Sequence, residues 1–149
     1  MRKVGKMKTI ALRFGENLAP ECGTILAHDK LIKKNGSVWY GKFGNPLSDK
    51  VISSVMENEN PKILLIHSGT ANRYWAYISK ISKEQPDLTL VPSYYHSEIG
   101  RIKTWFCITK FEDADKDIMS KCTVTSSGTL LSNASRHSMS PYFIINYEE

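Results

Sequence analysis

The feature that most constrains the fold is a series of short β-prone segments that fills the chain from residue 61 onward. The segment KILLIHS (62–68) is apolar enough for a central strand, and RYWAYISKIS (73–82) is β-branched and aromatic. The residues between them are small and polar, as in a tight turn. This part of the chain therefore predicts a β-sheet with short connections.

Other segments add strands and helices to this sheet. Two short helices are predicted near the N-terminus, over 25–35 with Thr24 as its cap and over 47–58. The Gly- and aromatic-rich segment 37–46 is interpreted as a connector, and the acidic segment 112–121 as a loop or a single helical turn. Further strands are predicted over 6–14, 87–95, 101–111 and 142–147.

These elements predict an α+β fold with a small, curled, mixed β-sheet or partly closed β-barrel and two short helices near the N-terminus. The 149 residues fit one domain, 1–149, and no apolar run approaches the roughly 18 residues that span a bilayer. The N-terminal apolar stretch is too short for a signal peptide. Three cysteines without CxxC spacing indicate neither a disulfide framework nor a zinc site, so we predict a cytoplasmic protein.

Positive charge is concentrated in the first third of the chain. Residues 1–42 hold nine Lys or Arg against three acidic residues, a net charge of +6, and residues 43–149 hold eleven against twelve, a net of −1. Such an asymmetry favours a polyanionic partner, because neutralising phosphates drives sequence-independent binding. A solvated basic terminus is the alternative interpretation.

Motifs typical of catalysis do not support an enzyme. Ser68 lies in HSGT and not in a GxSxG elbow, and His67 and His96 have no HExxH or His/Cys cluster around them. The acidic segment 112–117 lacks the Gly and the trailing Glu of a calcium loop. We predict no catalytic residue, no metal and no cofactor. The alternative is a small-ligand-binding or metal-dependent enzyme domain that uses His67, His96 or the acidic segment.

Aromatic residues recur in predicted loops and at strand ends. Trp105 and Tyr77, by contrast, are interpreted as packing residues of the sheet. Flat rings at exposed loop and strand-end positions stack nucleobases, at about 1–3 kcal/mol for each base. The aromatic residues in such positions are Trp39, Tyr40, Phe43, Tyr74, Trp75, Tyr94 and Tyr95.

The order of these segments resembles the core of the PUA-like superfamily, in particular its EVE branch. The run VWYGKFGNPLSDKVISSVMENENPKILLIHSGTANRYWAYISKI (38–81) contains an aromatic-Gly stretch at Trp39–Gly41, a short helix, a strand that ends in His-Ser, and a following strand. The resemblance in order extends over about residues 8–146. Three departures stand out: NENPK replaces a Gly-Asp turn, GKFGNP replaces a Gly-Val-Arg-Asn run, and Ala76 stands where Gly is common.

The resemblance implies a module that binds DNA or RNA and recognises a base, with a methylated, flipped-out base among the candidates. Similar domains include YTH readers of methylated adenine and the DNA-reading front domains of McrB-type restriction proteins. By analogy, the setting would be bacterial defence, with a nuclease or motor as partner and no membrane. The predicted base pocket is Trp39, Tyr40, Ser68, Thr70, Trp75, Tyr94 and Tyr95. The predicted phosphate contacts are Lys33, Lys34, Lys42 and Arg73. A protein-interaction domain with aromatics in its core is a further alternative.

Overall fold

The computed structural model describes residues 6–16 and 19–148. Residues 1–5 of the basic N-terminal segment and residues 17 and 18 of the predicted loop after the first strand lie outside the described residues. Within the described ranges, seven strands form one mixed sheet in the order β2-β5-β4-β3-β1-β7-β6. The strands are β1 (Lys6–Phe14), β2 (Val38–Phe43), β3 (Lys62–His67), β4 (Arg73–Ser82), β5 (Ile102–Asp113), β6 (Thr123–Val124) and β7 (Tyr142–Glu148).

Only one of the strand pairs in the described part of the chain is parallel, that between β1 and β3. Strand β1 lies between β3 and β7, so the first strand pairs with the last. No pairing between the described strands joins β2 to β6, and the sheet stays open. The predicted α+β class, with a curled and incompletely closed mixed sheet, is confirmed.

The prediction of Thr24 as the cap of the first helix is wrong, because Gly23 precedes that helix without a side-chain cap and Thr24 is its first residue. The other helix ends described here have clear local signals. Helix α1 (Thr24–Asn35) ends at Gly36, which adopts a left-handed conformation with φ 89° and donates its N–H to the Ile32 carbonyl. Helix α2 (Asp49–Met56) starts after Ser48, whose side chain accepts a hydrogen bond from the Val51 N–H. A third helix, α3 (Leu131–His137), lies in a segment that the sequence presents as polar and turn-rich.

The concave face of the sheet forms the main core. Alternate residues of β1, including Ile10, Leu12 and Phe14, face this core together with Tyr40 of β2. Apolar residues of α1 and α2 cover it, among them Ile25, Leu31, Ile32, Val51, Ile52 and Met56. Burial of this face is the main favourable contribution to folding, at roughly 25 cal/mol per Å² of apolar surface.

The convex face carries two further clusters. In one, Trp75 and Tyr147 pack under Met119 and Leu131 of the segment before and within α3. In the other, Trp39 and Trp105 pack under a pair of 3-10 helices, Leu88–Leu90 and Ser93–Arg101. The interpretation of Trp105 as a core residue is confirmed, since it is buried in this cluster.

Two of the predicted elements are wrong. The segment 37–46 contains strand β2, because Gly41 allows close packing in the sheet: a Cβ there would lie 2.8 Å from Cγ2 of Ile102. The segment 87–95 forms 3-10 turns instead of a strand. The Asp87 side chain accepts hydrogen bonds from the backbone N–H and the hydroxyl of Thr89, and these local bonds favour a turn.

Every helix in residues 6–16 and 19–148 falls short of the length and apolar character that a bilayer-spanning helix requires.

Candidate functional site

A cleft of about 250 Å³ lies between the carboxyl end of β1 and strand β2, on the open side of the curled sheet. Its walls come from segments that are far apart in the sequence. The lining residues are Leu12–Phe14 of β1, Gly15 and Ala19 after it, Thr24 of α1, Tyr40–Phe43 of β2, Tyr94 and Tyr95 of the long 3-10 helix, and Pro141 before β7. We call this site the tyrosine cleft.

Three tyrosines form the inner wall of the cleft. Tyr40 and Tyr95 are 5% and 2% exposed, and the rings of Tyr94 and Tyr95 are 4.7 Å apart. Thr24 lines the cleft beside these tyrosines. Burial raises the pKa of all three phenols, so their hydroxyls stay neutral and can donate as well as accept hydrogen bonds.

His28 lies directly behind this wall. Its ring is fully buried, with its centroid 5.0 Å from that of Tyr40 and 5.4 Å from that of Tyr95. Burial lowers the pKa of His28 to about 4, so the ring is neutral at pH 7 and its Nδ1 donates to the Thr24 carbonyl at 2.8 Å. Nε2 has no hydrogen-bond partner among the described residues, which is uncommon for a buried nitrogen.

Lys42, two residues after Tyr40 on β2, supplies a positive charge to the cleft. The residue is only 7% exposed, and its Nζ donates to the Asn45 carbonyl at 2.8 Å and lies 4.8 Å from the centroid of the Tyr142 ring. Burial lowers the pKa of this ammonium. No carboxylate pairs with it in the described ranges, and a buried cation without a counter-ion favours an anionic or electron-rich ligand.

Glu16 lies beside the mouth of the cleft and holds two neighbours. One carboxylate oxygen accepts a hydrogen bond from the Thr24 N–H at 2.8 Å, and the other lies 3.3 Å from Nε2 of His67. The His67 ring stacks on Phe14, which lines the cleft, at 4.8 Å. Glu16 therefore fixes the start of α1 and the position of the aromatic wall at Phe14.

The structure brings four of the predicted site residues into this cleft: Tyr40, Lys42, Tyr94 and Tyr95. It does not bring the two predicted tryptophans there. Trp39 alternates with Tyr40 along β2 and faces the convex side, where it is 8% exposed. Trp75 is 6% exposed on the convex side of β4, with its ring 5.1 Å from that of Tyr147.

The remaining predicted base-pocket residues, Ser68 and Thr70, lie in the exposed turn between β3 and β4. The Thr70 hydroxyl donates to the His67 carbonyl and accepts from the Asn72 N–H. Arg73 donates to the Thr70 and Asn72 carbonyls through Nη1, while its Nε lies 3.0 Å from the Met119 sulfur. The turn therefore uses its polar groups to bond its own backbone.

Lys33 and Lys34 lie on the last turn of α1 and not at the cleft. Lys33 pairs with Asp29 at 3.1 Å, and Lys34 is exposed. Of the predicted phosphate contacts, Lys42 alone lines the tyrosine cleft among the described residues.

The alternative site residues do not assemble into a centre in the described part of the chain. Nε2 of His96 lies 3.2 Å from the Leu88 carbonyl, and Lys121 pairs with Asp115 and Asp117 of the acidic segment. No group of three His, Cys, Asp or Glu side chains that could hold a metal occurs in residues 6–16 and 19–148.

Thr24 and His28 are the main residues that the sequence prediction missed. They are four positions apart and share one face of α1, on a helix otherwise assigned from its apolar spacing. A polar pair at this spacing on an apolar face is the signal that could have indicated them.

The structure is thus a mixed-sheet domain with a cleft lined by tyrosines and Lys42. The family model described as Pua-like matches residues 10–145, and the chain belongs to this family. No match is found among curated proteins or among solved structures. The family indicates a nucleic-acid-binding domain, and its members are generally binding modules and not enzymes.

Proposed function

We propose that the chain recognises a single nucleobase of DNA or RNA in the tyrosine cleft, without catalysing a reaction. The observation that carries the proposal is the combination of buried tyrosines with Lys42, a buried cation that has no carboxylate partner in the described ranges. Aromatic rings provide stacking surface for a base, and an ammonium whose described partners are neutral carbonyls and an aromatic ring still attracts phosphate or carbonyl oxygen.

The lining of the cleft suits both parts of a nucleobase. The ring of Tyr94 is half-buried and stays accessible for stacking, and hydroxyls and backbone groups around Thr24 and Gly41 can bond to the polar edge of the base. Leu12, Phe14 and Pro141 offer apolar contacts, which would remove a methyl group of the base from water. A base in a duplex would have to leave the stack to reach this cleft.

The proposal extends to a methylated base as the preferred ligand and to a targeting role in a bacterial restriction system with a nuclease or motor partner. The resemblance of segment 38–81 to the EVE branch supports this extension by analogy.

Fluorescence-polarisation binding to labelled DNA and RNA oligonucleotides tests the proposal. The panel contains single strands and duplexes that are unmodified, cytosine-methylated or adenine-methylated, each at two salt concentrations. Tyr94→Leu removes a stacking surface from the cleft, and Tyr77→Leu is the matched control on the convex side of β4. We expect Tyr94→Leu to weaken binding about tenfold, which corresponds to about 1.4 kcal/mol.

Three results would contradict the proposal. The first is an equal loss of affinity in Tyr94→Leu and Tyr77→Leu. The second is binding that is uniform across the probes and disappears at the higher salt in wild type and variants alike. The third is the absence of binding to any probe. A preference for one methylated probe that is lost in Tyr94→Leu would support the extension to modified bases. Equal affinity for all probes, combined with a loss in Tyr94→Leu, would retain base binding and reject that extension.

A further inference from the structure

A second depression, of about 500 Å³, lies between helix α2 and strand β7. Lys8 and Lys50 line it. The rest of the lining consists of hydroxyl-bearing residues and of apolar residues, namely valines, an isoleucine and a phenylalanine. The hydroxyl-bearing residues are Thr9, Ser54, Thr125, Ser126, Ser140 and Tyr142. We call this site the lysine groove.

The lysine groove is electropositive because its lining holds two lysines and no carboxylate. Neither Lys8 nor Lys50 forms an ion pair with a described residue. Asp49, the acidic neighbour of Lys50 on α2, is bound instead by Lys83, with Nζ 2.9 Å from its carboxylate. The two groove lysines thus differ from Lys33 and Lys121, which are neutralised by nearby acids.

The groove and the tyrosine cleft adjoin each other at the start of β7. Pro141 lines the cleft, and its neighbours Ser140 and Tyr142 line the groove. Lys42 of the cleft places Nζ 4.8 Å from the centroid of the Tyr142 ring, so this side chain bridges the two sites. Lys42 lines the cleft, and Lys8 and Lys50 line the groove that adjoins it.

We propose that the lysine groove, which lies beside the tyrosine cleft at residues 140–142, binds the phosphodiester backbone of the strand whose base occupies that cleft; this inference rests on the proposed function. Phosphate oxygens accept hydrogen bonds from ammonium groups, and the groove offers those of Lys8 and Lys50 without a competing carboxylate. The hydroxyls of Thr9, Ser54, Thr125 and Ser140 already donate to protein oxygens and are not counted among the phosphate contacts. Phosphate contacts of this kind add affinity and set the position of the strand, but they do not distinguish sequence.

The test is the salt dependence of oligonucleotide binding for Lys8→Gln, Lys50→Gln and the double variant. Each lost phosphate contact should make the slope of log affinity against log salt shallower by about 0.7–0.9. Lys34→Gln, which removes the same charge from the exposed end of α1, is the matched control and should leave the slope unchanged. The nucleoside of the base that the wild-type chain prefers has no phosphate, so its affinity should be the same in all variants.

The possible results separate this inference from the proposed function. Unchanged slopes in the groove variants, or an equal change in Lys34→Gln, would overturn the groove while Tyr94→Leu still reports on the cleft. Loss of nucleoside binding in the groove variants would also overturn it, since the effect would then act through the cleft. If no oligonucleotide binds to the wild-type chain, the proposed function fails and the groove assignment fails with it. Thermal melts of each variant establish that the fold is intact.

Discussion

The tyrosine cleft and the turn between β3 and β4 contain the same kinds of side chain but use them differently. In the turn, Thr70, Asn72 and Arg73 are close in sequence, and their polar groups bond to the turn itself. In the cleft, Thr24, Lys42 and Tyr94 come from three separate elements, and Lys42 keeps a charge that no described carboxylate neutralises.

The difference shows that local richness in polar and aromatic residues is a poor guide to a binding site. Neighbouring residues in a tight turn readily satisfy one another, because side chains such as Thr and Asn can reach backbone groups two or three positions away. In the cleft, Lys42 also bonds a nearby carbonyl, but its positive charge has no described carboxylate beside it and so stays available to an anionic ligand. Four substitutions test this contrast.

The largest effect is expected for Trp75→Ala. Trp75 lies in β4 shortly after the turn, and its ring is part of the core on the convex side of the sheet. The free energy of unfolding should fall by about 3–5 kcal/mol, because the ring is 6% exposed and packs on Tyr147. Urea denaturation measures the change, with Trp75→Phe as the milder control. A stable variant that has lost nucleic-acid binding would show instead that Trp75 belongs to the ligand site.

The second effect concerns the pH dependence of stability behind the cleft. The pKa of His28 is about 4 in the folded protein, against 6.5 in a solvated chain, so between these values the unfolded state takes up a proton that the folded state does not. The stability contributed by the neutral ring is fully present above pH 6.5 and is lost as the pH falls. At pH 4 the free energy of unfolding is lower by about 3 kcal/mol for this reason.

The comparison of wild type with His28→Leu isolates this contribution. Urea denaturation of both proteins between pH 7 and pH 4 should show a steeper loss of stability in wild type, because the variant has no imidazole to protonate. Parallel curves for the two proteins would contradict the assignment of a buried, neutral His28.

A smaller effect, on binding, is expected for Lys42→Met. Loss of the ammonium should weaken oligonucleotide binding about tenfold, while stability stays the same or rises, because a partly desolvated charge is replaced by an apolar side chain of similar length. Arg73→Met in the turn is the matched control and should change affinity less than twofold. Similar losses in the two variants would remove the distinction between cleft and turn.

The smallest effect is expected for Thr70→Ala. The variant loses two hydrogen bonds of an exposed turn and should be less stable by about 0.5–1.5 kcal/mol, with unchanged oligonucleotide affinity. Thr70→Ser, which keeps the hydroxyl, should restore the stability. A change in affinity without a change in stability would return Thr70 to the ligand site.

The sequence predicted the strands that carry strong apolar or alternating patterns and the helices that have clear ends. Strand β1 has the predicted bounds, 6–14, and α1 ends at Asn35, the last residue of the predicted helix. Strand β2 was missed because Gly41 and Gly44 indicate a loop, whereas Gly41 is needed for packing against Ile102. The helix α3 was missed because its Ser- and Asn-rich composition is typical of turns.

The site was predicted only in part, for a related reason. Tyr40 was identified in an expected loop and Tyr94 and Tyr95 at the end of an expected strand, and all three line the cleft. Trp39 was grouped with Tyr40, although strand alternation places adjacent residues on opposite faces once β2 is assigned as a strand. The sequence could not show that Lys8 and Lys50 share one groove, because only the packing of α2 near the β1–β7 pair brings them together.

The pairing of the first strand with the last has a consequence for synthesis of the chain. Strand β1 is synthesised before β7, but its pairing with β7, from Lys6 opposite Glu148 to Leu12 opposite Tyr142, must wait until residues 142–148 have left the ribosome. Until then one edge of β1 has unpaired N–H and C=O groups next to an uncovered apolar face, which invites intermolecular pairing. Closure of so long a loop also slows folding, so a nascent chain of this topology is a natural client for chaperones.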